Sequence, residues 1–91
     1  MVTLVEALES KLRSLDIDIS EEDLSTIIVG LNDILEGLSE IREFVREINA
    51  SDSKDVIHEK AIDIQIEFVN HVKAHITDIE APFMNLINEL E

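Results

Sequence analysis

The chain has 91 residues, with two glycines, one proline and no cysteine, tryptophan or tyrosine. So little turn chemistry disfavours any sheet fold of this size, and without cysteine there is no disulfide framework, thiolate zinc site or cysteine nucleophile. Twenty-one acidic residues against seven Lys and Arg give a net charge of −14 at pH 7, which repels nucleic acid and anionic membrane surfaces.

The length sets one domain, residues 1–91, and the expected fold class is all-α. Residues 1–6 lack the basic start and apolar stretch of a secretion signal, and no apolar run approaches the ~20 residues that span a bilayer. The expected location is the cytoplasm, with no membrane contact.

The first predicted helix opens on Thr3 and Glu6, which have the spacing of a capping box. Val5, Leu8, Leu12 and Leu15 then step by three or four and form one apolar stripe. Residues 16–19, Asp-Ile-Asp-Ile, break that period and read as a connector.

The second helix begins after Ser20, a good N-cap, with Glu21, Glu22 and Asp23 against the positive end of the helix dipole. Leu24, Leu31, Leu38 and Val45 occupy one heptad position, and Ile27, Ile34, Ile41 and Ile48 another. That is an unbroken seam for a partner helix, ending near Asn49. The third helix starts at Asp52 or Ser53. One of its stripes holds Ile62, Val69, Ile76, Phe83 and Leu90; the other holds His58, Gln65, Val72, Ile79 and Leu86, leaving Ile57 and Ile64 off it. Pro82 lacks an amide donor, so either the third helix kinks there or a short further helix begins with Pro82 at its first position, the second being the expected form.

Helix lengths of roughly 43, 40 and 18 Å follow for the second, third and first helices. The expected architecture is a helical bundle: an antiparallel hairpin of two long helices, with a short N-terminal helix and a C-terminal helical segment after Pro82. The first helix covers only one end of the hairpin. The other end is left as a bare pair carrying Leu38, Ile41, Phe44, Val45, Ile48, Val56, Ile57, Ile62 and Ile64, more apolar groups than two helices bury against each other. A homodimer is the expected consequence. Gly30 and Gly37 cost about 1 kcal/mol each inside a helix, so their edge is expected to admit a close helix contact. They join Leu38, Ile41, Phe44, Val45, Ile48, Val56, Ile57 and Ile64 as interface candidates.

Glu67, His71, His75 and Asp78 lie at steps of four, four and three along one helix ridge. His71 and His75 have the spacing of a chelating pair for zinc, nickel or copper, but one helix supplies only part of a coordination sphere. A solvated polar ridge is the expected role, with no cofactor. His75 with Glu80 resembles the last helix of hemerythrin-like proteins, where a histidine and a carboxylate bind iron. That family draws further histidines from other helices, and none precedes His58 here, so its site is not carried over. Glu40 with Glu43, or Glu59 with Asp63 and Glu67, resemble the glutamate clusters of all-α nucleotide pyrophosphohydrolases. The second, facing cluster of those enzymes is missing.

No catalytic residue is expected: the serines fall at caps and turns, and both glycines lie within a helix rather than in a phosphate loop. The charge suggests a partner protein with a basic surface, drawn in by electrostatic steering. Imitation of the phosphate spacing of DNA, to block a nucleic-acid-binding protein, is the sharper form of that reading. The expected function is thus a non-enzymatic interaction or regulatory protein; a metal-binding helical protein using His71 and His75 is the alternative.

Overall fold

The structure is a computed structural model that describes residues 3–91. The first two residues, part of the segment read above for a leader, lie outside them. The fold is all-α. Helix α1 spans Leu4–Arg13 and α2 spans Glu21–Asn49. A second long arm follows, built of α3 (Lys54–Glu67), a π-helical turn (Phe68–Lys73) and α4 (Ala74–Leu90) without a break. No helix among the described residues is long and apolar enough to cross a membrane.

The helix starts are set by local chemistry. Thr3 Oγ1 accepts the Glu6 amide at 3.1 Å and Glu6 Oε2 accepts the Thr3 amide at 3.4 Å, completing the capping box. Ser20 Oγ accepts the Asp23 amide at 3.1 Å, and Ser53 Oγ accepts the Val56 amide at 3.3 Å. Between α1 and α2, the alternation of residues 16–19 turns Ile17 and Ile19 onto the core and leaves Asp16 and Asp18 exposed.

The two long arms run antiparallel. Contacts climb one arm as they descend the other: Asn85 with Asp23, Ile79 with Gly30, His71 with Gly37, and Lys60 with Glu47. Helix α1 folds back along the start of α2. Leu12, Leu24, Ile27 and Leu86 form the buried cluster there, flanked by Leu8, Ile28, Leu31 and Phe83. Arg13 fastens the corner with a two-pronged contact to Glu21 at 2.7 and 3.1 Å and a 3.0 Å contact to Glu9. Hydrogen bonding to the Arg13 guanidinium holds the Glu21 carboxyl below its ordinary range and raises Arg13 in turn.

Of the two readings of Pro82, the preferred one is corrected: α4 continues through it, and no separate helix starts there. Pro82 forfeits one backbone hydrogen bond, but Ile79 and Leu86 on either side are buried, and Phe83 packs against the core. Tertiary burial outweighs the local propensity.

The stripe assigned to the second arm also needs correcting. His58 and Gln65 are exposed, whereas Ile57 and Ile64 turn inward and are half-buried. The cause is the π-turn, where Ala74 N–H donates to the Val69 carbonyl five residues back. Such a turn accommodates one extra residue and rotates what precedes it. Inward positions therefore run 57, 64, then 72, 79, 86: a spacing of eight across the π-turn and seven elsewhere. Of the other expected stripe only Phe83 packs on the core, while Ile62, Val69, Ile76 and Leu90 are exposed.

This register is testable by urea unfolding. Ile57→Ala and Ile64→Ala are each expected to cost about 1–3 kcal/mol, near the low end for half-buried aliphatic truncations. His58→Ala and Gln65→Ala are expected to stay within roughly 0.5 kcal/mol of the parent, as surface changes do.

Candidate interaction surface

Two glycines set how closely the arms approach. Gly30 and Gly37 are both buried against the second arm. A Cβ at Gly30 collides with Cγ2 of Ile79, itself buried and β-branched. A Cβ at Gly37 lies 2.7 Å from the His71 Cβ and 3.6 Å from Cγ2 of Val72. The close contact expected at these positions is thus made within one chain, between α2 and the second arm.

The other interface candidates divide by face. Ile41, Phe44, Ile48, Ile57 and Ile64 are half-buried in the seam between the arms. Leu38, Val45 and Val56 stand exposed. The stripe Leu24, Leu31, Leu38, Val45 shows the pattern most clearly. Leu24 is 4% exposed and Leu31 half-buried, but Leu38 is 46% and Val45 43% exposed. Helix α1 and Phe83 cover only the upper part of this face, and nothing among the described residues continues them downward.

Among the described residues seven apolar side chains are buried: Val5, Leu12, Leu24, Ile27, Val72, Ile79 and Leu86. Fifteen large apolar residues among those described are exposed, including Leu35, Ile62, Ile66, Phe68, Val69, Ile76 and Ile87. Between α1 and α2 an open apolar groove of about 440 Å³ is lined by Leu4, Val5, Ala7, Leu8, Lys11, Leu31 and Leu35. A second opening of similar size is mixed, with Val5, Ile28 and Val29 beside Glu6, Asn32, Asp33 and Glu36 on its walls.

The ionisable ridge of the second arm is divided among separate partners. His71 Nε2 lies 3.5 Å from Glu67 Oε1, while His75 Nε2 reaches across to Asp33 Oδ2 at 3.1 Å. Asp78 is exposed beside a shallow opening shared with Val29, Gly30 and His75. Among the described residues no three His, Asp or Glu side chains converge as metal ligands would. The sequence reading missed Asp33, which sits on the other arm and shares no spacing with His75.

Lys60 closes the lower end, 3.1 Å from Glu47, 3.8 Å from Asp63 and 5.6 Å from the Phe44 ring centre. The hydrogen bond to Glu47 holds its ammonium above the ordinary lysine value. Comparison with known proteins finds no matching family model, no matching curated protein and no matching solved structure.

The glycine contact generates its own test. Alanine gains up to ~1 kcal/mol in helix propensity, but overpacking a tight contact typically costs about 1–3 kcal/mol. Gly37→Ala is expected to lower stability, because the His71 Cβ moves only with its backbone, and Gly30→Ala to lower it as well. Denaturant midpoints at fixed protein concentration measure both.

Proposed function

We propose that the protein is a non-enzymatic interaction protein that works in the cytoplasm as a self-associated helical hairpin, and that its acidic outer faces receive a partner with a basic surface. The observation that carries this reading is an accessible surface larger than a compact monomer leaves, on which fifteen large apolar residues stand exposed among the described residues. The accessible surface is 6579 Å², against ~5,350 Å² for a compact monomer of this mass. The difference, roughly 1,200 Å², exceeds the ~800 Å² that each partner gives up in a standard interface.

Shape supports the same reading. The radius of gyration is 16.8 Å, where a compact chain of this length has about 12 Å. Extents of 54 × 29 × 19 Å describe a flat hairpin one helix layer thick over much of its length. Such a layer has a second apolar side to cover, and a further layer of helices covers it. Carboxylates on the remaining surface steer a basic partner over a Debye length, so a partner held this way is released as ionic strength rises.

If folding and self-association are linked, the thermal midpoint rises with protein concentration. Circular dichroism melts over a hundredfold dilution series, paired with sedimentation equilibrium, are expected to show that rise and a mass above the monomer. A constant midpoint with a monomer mass contradicts the proposal.

A further inference from the structure

We infer that the occupant of the hairpin's open face is a second copy of this chain, docked on one particular side: the surface of Leu35, Leu38 and Val45 on α2 and of Phe68, Val69 and Ile76 on the other arm. This rests on the self-association reading above and specifies its surface. All six side chains are between 42% and 51% exposed.

The six belong to one side of the hairpin. On α2, positions 31, 35, 38, 42 and 45 follow one another at steps of three and four, so they share a face. That face continues downward from Leu31 and Leu35, where α1 sits. On the second arm, Phe83 joins Leu31, Leu8 and Leu12 on this same side, and Ile76 lies one heptad below it. His75, paired with Asp33, belongs to the opposite side, together with Asp78 and Val29. The π-turn brings Phe68 and Val69 beneath Ile76, because its extra residue rotates the arm at that level.

Charge selects this side over the others. A chain of net charge −14 repels its copy, so a self-interface has to exclude carboxylates. Between Leu35 and Val45, the acids Glu36, Glu40 and Glu43 fall at positions turned away from the 35, 38, 42, 45 stripe. Between Phe68 and Ile76 there is no acid at all, and Lys73 lies on that stretch; Arg42 sits within the α2 stripe. The opposite side carries Asp33, Asp63, Glu67 and Asp78. That side is acid-poor rather than acid-free, since Glu80 lies between Ile76 and Phe83 on the same face, at the upper edge of the patch. Two copies joined through it bury their apolar residues together and turn most of their carboxylates outward. The contact is isologous, each copy presenting the same patch, and stacks two helical layers into a four-helix body.

Sedimentation velocity over a concentration series tests the assignment on the full chain, comparing wild type with Leu38→Glu, Ile76→Glu and Val29→Glu. Val29 is an exposed apolar residue on the other side and serves as the control. Wild type and Val29→Glu are expected to share one dissociation constant. Leu38→Glu and Ile76→Glu are expected to raise it roughly 100-fold or more, since like charges then face each other in the contact. If a glutamate variant loses its helical signal, Leu38→Gln and Ile76→Gln replace it, with an expected weakening of about tenfold. A dimer that withstands changes at 38 and 76, or dissociates on Val29→Glu, overturns the face while self-association stands. A wild-type monomer at every concentration overturns the self-association reading itself.

Discussion

A helix buries the stripe it turns toward a neighbour, and a hairpin has only one such neighbour for each arm. Along most of this molecule that single seam is all the shielding available. Gly30 and Gly37 let the arms approach closely enough for Ile79 and Val72 to be buried against α2. The short α1 then adds a third wall over the first half of α2, where the core cluster of Leu12, Leu24, Ile27 and Leu86 lies. Below that level the seam residues Ile41, Phe44, Ile48, Ile57 and Ile64 are only half-covered, and their neighbours on the open side face solvent.

Electrostatics and packing act on the same geometry. The patch of Leu35, Leu38, Val45, Phe68, Val69 and Ile76 is accompanied by Arg42 and Lys73, with Glu80 at its upper edge, while Glu36, Glu40 and Glu43 turn away from it. Exposed ion pairs such as Arg46 with Glu43 contribute little to stability, typically below about 1 kcal/mol. The Arg13 contact to both Glu9 and Glu21 has a positional role, fixing the angle at which α1 returns along α2. Stability in such a fold depends on apolar area, which a second layer supplies more readily than further charge pairs do.

Much of the fold was legible in the sequence because helix starts and heptads are local. Thr3 with Glu6, Ser20 and Ser53 announced their helices, and the 27, 34, 41, 48 stripe stays on the seam from end to end. The π-turn was less legible, although its signature was present: Ile57 and Ile64 stand one position before the polar His58 and Gln65, a one-residue slip against the 72, 79, 86 stripe. Pro82 misled for the opposite reason, since its local preference was clear and buried neighbours override it. The glycines announced a close contact but not whether it lay within or between chains. The His75–Asp33 pair joins residues 42 positions apart with no shared period, and only the folded hairpin brings them together.

Amide hydrogen exchange at two protein concentrations tests the central claim, that the lower half of the hairpin is completed by association, most directly. The account predicts that protection over residues 35–48 and 57–76 increases with concentration, while residues 21–31 and 79–90, already enclosed by α1 and the core cluster, change little. Protection that is uniform along both arms and unaffected by concentration would contradict it.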